Sequence, residues 1–228
     1  MNSIKQIEVI YNNRLVGRLA LTREGLCAFE YSAEWLSSGF SISPFELPLR
    51  SGVFIAKPRP LEGGFGVFDD CLPDGWGLLI LDRYLQQKGI NPRTLTLLDR
   101  LALVGSTGRG ALEFRPDNSV VTRQDFADFE KLALEAEKIL ASDDYMGEGI
   151  EEFQDRGGSP GGARPKIFVR YNDKEWLVKF RAKRDSQSIG VDEYRYSLLA
   201  KECGIEMPET RLFEGKYFGV ERFDRTLG

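Results

Sequence analysis

Gly157-Gly158-Ser159-Pro160-Gly161-Gly162-Ala163-Arg164-Pro165-Lys166 is the stretch on which the reading of this chain turns. Four glycines in six positions let backbone N–H groups turn toward an anion, as phosphate-cradling loops require. The same composition also suits a flexible linker. It matches neither the Walker pattern nor G-x-G-x-x-G, so alone it decides nothing. The residues beyond it are decisive. Lys166–Tyr171 and Glu175–Phe180 read as strands joined by Asn172-Asp173-Lys174. Asp192–Cys203 reads as a helix ended by Gly204, with Pro208 beyond. Thr210–Phe213 and Tyr217–Glu221 read as a further strand pair that turns at Glu214-Gly215-Lys216.

Glycine-rich loop, strand, strand with a lysine, helix with a glutamate, strand, strand is the order of a protein-kinase N-lobe. Alternation puts Trp176, Val178 and Phe180 on one face of their strand, and Leu177, Lys179 and Arg181 on the other. Lys179 stands where a kinase holds the α- and β-phosphates, although most strand lysines simply face solvent. Glu193, in the first turn of the expected helix, can supply the carboxylate that orients such a lysine. Acids also favour helix N-termini for their own reason. Phe218-Gly219-Val220-Glu221-Arg222-Phe223-Asp224-Arg225 runs from apolar strand into charged chain. That suits a hinge offering backbone groups to an adenine, and equally an ordinary strand end.

Upstream, Ile4–Tyr11, Arg14–Ala20 and Leu26–Tyr31 read as a small meander, with Asn12-Asn13 suited to a tight turn. Residues 39–64, rich in Pro, Gly and Ser, read as loops and brief strands. From Asp74, Leu78, Leu81 and Leu85 recur at helical spacing until Gly89 and Pro92, and a second helix runs from Thr94 to Gly105. Asp125–Leu140 reads as a third, its apolar face including Phe126, Phe129, Leu132 and Ile139, with Thr122 and Asp125 as a capping box. Ser142–Gly162, acid- and glycine-rich, reads as a boundary. The expected fold class is α+β: a mixed sheet-and-helix subdomain over 1–120, a connecting helix and linker over 121–156, and a kinase-like N-lobe, an antiparallel sheet plus one helix, over 157–228.

Composition narrows the function classes. The 228 residues are 42% hydrophobic and 29% charged, enough for a real core. A net charge of −4 argues against a broad basic face gripping nucleic acid. No apolar run of about 18 residues is present to span a membrane. The N-terminus carries Lys5 and Glu8 where a signal peptide needs an apolar stretch. Cys27, Cys71 and Cys203, odd in number and far apart, fit reduced thiols and a cytoplasmic location, not a disulfide framework or a metal site. Without histidine, any chemistry must use Asp, Glu, Lys, Ser or backbone.

The segments 157–166, Leu177-Val178-Lys179-Phe180 and Val220-Glu221-Arg222-Phe223-Asp224-Arg225 resemble the HipA toxin family in order and spacing. Phe68-Asp69-Asp70-Cys71-Leu72-Pro73-Asp74-Gly75-Trp76-Gly77 and residues 103–114 look like that family's N-terminal region. The resemblance implies a toxin–antitoxin serine/threonine kinase that uses ATP and Mg²⁺. It implies restraint by a helix-turn-helix antitoxin that binds operator DNA, and a protein serine as substrate, as on an aminoacyl-tRNA synthetase. By motif, Ser159 matches the autophosphorylated serine. Gly158, Gly161, Gly162 and Ala163 match the nucleotide loop, Lys179 the phosphate-holding lysine, and Glu221 and Phe223 the hinge. Arg164, Lys166 and Glu193 are supporting residues, with Arg181 a further candidate cation.

In that family the catalytic aspartate and the metal-binding Asn and Asp lie downstream of the 220–225 segment, so this chain is expected not to catalyse by itself and to bind nucleotide weakly. The rival reading is a non-catalytic regulator docking on a kinase core or an antitoxin. A third is an unrelated glycine-loop nucleotide binder.

Overall fold

The computed structural model describes residues 3–108, 110–119, 127–157 and 161–223. In chain order the elements are β1 (Gln6–Tyr11), β2 (Arg14–Leu21), β3 (Cys27–Tyr31), α1 (Ala33–Ser38), β4 (Val53–Ile55), α2 (Gly66–Asp69), α3 (Gly75–Gln87), a 3₁₀ turn (Pro92–Thr94), α4 (Leu97–Val104) and β5 (Leu112–Arg115). They continue as α5 (Phe129–Ala141), α6 (Gly149–Gly157), β6 (Lys166–Tyr171), β7 (Lys174–Lys179), α7 (Ile189–Glu202), β8 (Thr210–Phe213) and β9 (Tyr217–Glu221). The class is α+β, with two sheets whose strands pair antiparallel throughout.

The chain forms two compact units, one from residues 1–73 with 91–120, the other from 74–90 with 121–228. The first holds a five-stranded sheet in the order β4-β3-β2-β1-β5. Asn12 and Asn13 both take positive φ in the β1–β2 turn, the conformation a two-residue hairpin demands. One face of the sheet buries Val9, Leu19, Phe29 and Phe114 against Leu98 and Leu101 of α4 and the aromatic rings of Trp35 and Phe68. Thr96 and Asp99 close a capping box at the start of α4, and Asp99 also accepts a 2.9 Å hydrogen bond from the Ile4 N–H. The short helix α1, capped by Ser32 and anchored by buried Trp35, was not foreseen from sequence. Its six residues are too few to show a period.

The second unit holds a sheet in the order β6-β7-β9-β8. Helix α3 belongs with it and not with the residues on either side, because Trp76 and Ile80 enter its core, Trp76 edge-on to Phe153 at 5.0 Å. The buried face of α3 is rotated from the expected leucine stripe: Trp76, Ile80, Leu81 and Leu85 are inside while Leu78 is exposed. The reading of 142–162 as a boundary is corrected by α6, which ends at Gly157 where a loop was expected to begin. Ile150 and Phe153, three apart among the acids, are fully buried against the core. Glu151, Glu152 and Asp155 mask that short stripe in the sequence. Helix α5 is capped by Asp128, which accepts from the Lys131 N–H. The Thr122, Asp125 and Phe126 assignments lie outside the described residues.

Candidate functional site

Strand β7 lies between β6 and β9, with Lys179 opposite Lys166 on β6 and Trp176 opposite Glu221 on β9. Trp176 and Val178 are buried, as alternation requires, and Lys179 projects half-buried from the other face. Its Nζ donates to Oε2 of Glu193 at 2.8 Å and stands 5.2 Å from the centroid of the Phe218 ring. Helix α7 begins at Ile189, three residues before the expected start, so Glu193 sits in its second turn. That extra length carries the carboxylate over the strand.

Close contact places α7. A Cβ at Gly190 would press into the Lys216 carbonyl oxygen, so only glycine permits this approach. Further along, the Ser197 hydroxyl donates to the Thr210 Oγ1 at 2.9 Å in a buried contact. Ser197 is the sole described residue of α7 that is fully buried.

The Lys179–Glu193 pair lines a cleft of about 350 Å³ with Arg164, Arg181, Lys216 and Phe218, and Glu137 of α5 adds a second acid. Arg164 makes a two-pronged contact with Asp185, at 2.8 and 2.9 Å, and comes within 3.9 Å of Glu193. The Arg164 guanidinium holds the Asp185 carboxyl down to about 2, and Asp185 in turn raises Arg164. Arg181 pairs with Glu137. Buried Lys166 donates to the Gly161 carbonyl.

The glycine-rich stretch is anchored at its downstream end. Gly162, at φ +89, donates its N–H to Oδ1 of Asp74 at 2.6 Å, and its carbonyl accepts from the Trp76 N–H at 3.0 Å. A Cβ at Gly75 would meet the Gly162 carbonyl at 2.7 Å. Asp74 occupies the N-cap position of α3 but makes no side-chain cap bond; its carboxylate faces the loop instead. Gly161, Gly162 and Ala163 do not border the Lys179 cleft, whereas Arg164 does. Gly158 and Ser159 lie outside the described residues.

The two expected hinge residues stand apart from the cleft. Glu221 donates its N–H to the Glu209 carbonyl at 2.8 Å, and its carboxylate accepts from Lys174 at 2.9 Å. Phe223 is 85% exposed.

Sequence reasoning missed Asp74, Asp185, Gly190 and the Phe218 ring as parts of this arrangement. Gly190 lay before the expected start of the helix at Asp192, so its close approach to Lys216 carried no signal in the sequence. Asp74 lies 88 residues from its loop partner and carried none.

No helix among the described residues is long and apolar enough to cross a membrane. Residues 7–115 match the HipA N-terminal domain and residues 158–227 match the HipA-like C-terminal domain. Among curated proteins no sequence matches the chain. Two domain matches in the family's order cover the sheet of the first unit and the Lys179 site of the second, and the chain belongs to the HipA family, a family of toxin–antitoxin proteins.

Proposed function

We propose that this chain is the nucleotide-facing portion of a HipA-like protein serine/threonine kinase, with the phosphates of ATP held at Lys179. The observation that carries this reading is the 2.8 Å Lys179–Glu193 pair at the edge of a cleft. A strand lysine oriented by a helix carboxylate is the arrangement phosphoryl transfer uses to position phosphates. The donor set suits the ligand. Four cations, Arg164, Lys179, Arg181 and Lys216, face two acids, Glu137 and Glu193, around the cleft, a balance that favours a polyanion.

In this reading the loop through Gly158, Gly161, Gly162 and Ala163 covers the nucleotide, and backbone groups near Glu221 and Phe223 receive the adenine. Bound with the phosphates beside Lys179, Mg²⁺ would supply neutralisation of their charge. Ser159 is the residue modified by phosphate. A phosphoserine carries close to two negative charges and would seek cations. Arg164, Lys166 and Arg181 are the candidate cations for that capture. Each is engaged in the structure, with Asp185, Gly161 and Glu137 respectively, so capture means exchanging those partners. The complete kinase would act on a protein serine, as on an aminoacyl-tRNA synthetase, and be restrained by a helix-turn-helix antitoxin and, through it, operator DNA.

The test is Mg-ATP titration by calorimetry on this chain and on Lys179→Ala. Binding at millimolar concentration or tighter, lost in the variant, is the expected result. Absence of heat from both proteins would overturn nucleotide binding by this chain and leave a regulatory, docking role as the better account. A Ser159→Ala protein whose nucleotide affinity matches that of phosphorylated wild type would overturn the modification switch.

A further inference from the structure

We infer that the free edge of β4 accepts an extended segment of a partner protein by strand addition, and that this segment is apolar in its centre and acidic at its ends. β4 is the outermost strand of the first sheet, pairing only with β3. The Ala56 N–H donates to the Cys27 carbonyl at 2.8 Å, and Phe54 is paired with Phe29. Antiparallel bonding alternates. Residues 54 and 56 therefore face β3, and the N–H and C=O groups of Val53 and Ile55 point away from the sheet. Among the described residues no other segment takes them up.

The side chains make the edge unusual. Phe54 and Ala56 are buried, but Val53 is 56% and Ile55 60% exposed. Sheet edges are normally blunted by charge, proline or a bulge. The other three sheet edges among the described residues follow that rule. β5 carries Glu113 and Arg115 and is followed by Pro116, β6 carries Lys166 and Arg170, and β8 carries Arg211. β4, Val-Phe-Ile, has no charge within it. A strand left apolar at an edge, where the other described edges are charged, is suited to being covered.

Charge selects the occupant. Residues 47–61 hold three cations, Arg50, Lys57 and Arg59, and no acid, in a chain of net charge −4. The cations flank the strand at both ends. A second copy of this chain, paired antiparallel with Val53 opposite Ile55, would bring Arg50 of one copy beside Lys57 and Arg59 of the other, and like charges across a strand pair repel. A partner strand with β-branched residues at its centre and carboxylates at its ends completes the ladder, covers Val53 and Ile55, and neutralises the flanks.

The experiment uses the full chain and a fluorescent peptide, acetyl-Glu-Asp-Val-Thr-Ile-Thr-Val-Asp-Glu-amide, with the same peptide bearing Lys in place of each acid. Anisotropy is expected to show sub-millimolar binding of the acidic peptide. Ile55→Lys should weaken it at least ~10-fold, as a charge placed on an edge strand blocks addition. The double variant Lys57→Glu, Arg59→Glu should weaken it comparably and reduce its salt dependence. Amide exchange at Val53 and Ile55 should slow on binding. Equal binding of the lysine peptide, or no binding of either, overturns the proposal. So does a concentration-dependent dimer in sedimentation that protects the same two amides without peptide, because the occupant is then a second copy. Circular dichroism of each variant separates loss of binding from loss of fold.

Discussion

Helices α4 and α7 both lie against antiparallel sheet, yet they are held by opposite means. In the first unit α4 buries Leu98, Leu101, Ala102 and Val104 and is locked at its start by the Thr96–Asp99 capping box. In the second, α7 buries only Ser197 among its described residues and is positioned by the Gly190 approach, the Ser197–Thr210 hydrogen bond and the Lys179–Glu193 pair. Tyr196, Leu198 and Leu199 remain exposed along it. Apolar burial is non-directional and contributes about 25 cal/mol per Å². An exposed or half-exposed ion pair contributes only about 0–1 kcal/mol. The contrast separates a helix that serves the core from one whose position can answer to charge in a cleft.

The largest effects should come from the cores. Phe29→Ala and Trp176→Ala each remove a fully buried ring from a different unit, at a cost of about 3–5 kcal/mol. If the units are energetically separate, exchange protection is lost mainly in the unit that carries the substitution. Loss throughout the chain from either variant would show that they unfold as one. Next comes Gly190→Ala, whose Cβ meets a backbone oxygen that cannot rotate away. Overpacking of this kind costs about 1–3 kcal/mol, and here it should move α7 and lower Mg-ATP affinity, whereas an equal loss of affinity in Phe29→Ala would remove the distinction.

Amide exchange reads the comparison directly: the amides of α7 should exchange faster than those of α4, and Glu193→Gln should widen the gap while changing global stability by under about 1 kcal/mol. Thiol chemistry offers a sharper spatial contrast. Burial pushes the Cys27 thiol up to about 11, so at pH 8 it should resist alkylation while exposed Cys203 reacts in the native protein. Mass spectrometry after timed labelling decides this. Early modification of Cys27 would show that the first core opens readily.

The smallest effect is at Asp185. Its carboxyl titrates near 2 in the folded chain against an ordinary value of 3.8. A depressed carboxyl stabilises the folded state fully above its unfolded value and loses that contribution as pH falls through the folded one, here between about 4 and 2. Arg164→Gln should flatten acid unfolding over that window and lower stability at pH 7 by the same contribution, which solvent screening of the half-exposed guanidinium holds to under about 1 kcal/mol. An unaltered acid transition would mean that solvent screens the pair.

Much of the site was legible in the sequence. The Trp176/Lys179 alternation, the Asn172-Asp173 turn and the order of strands and helix follow from local geometry, because strand period and hairpin chemistry act within a few residues. Glu193 could be proposed as the partner of Lys179 from the kinase-like order, in which a helix-borne carboxylate orients the lysine, and the two side chains meet. Helix α6 was hidden because its apolar stripe is only Ile150 and Phe153 among acids and glycines. Burial of that pair needs the walls supplied by Trp76 and Phe180, which come from distant parts of the chain.

Determined by the sequence itself were the α+β class, the hairpins and the strand face that carries Lys179, since each depends on periodicity and turn residues that neighbours cannot easily override, and the HipA family, through the resemblance of its ordered motifs at 157–166, 177–180 and 220–225. Tertiary structure decided the rest. It joined α3 to residues beyond 120 through Trp76, turned the Asp74 carboxylate to the Gly162 amide, let α7 approach at Gly190, and left β4 as an uncharged edge. These contacts join residues tens of positions apart. Their energies depend on distance in space, which no local pattern of side chains encodes.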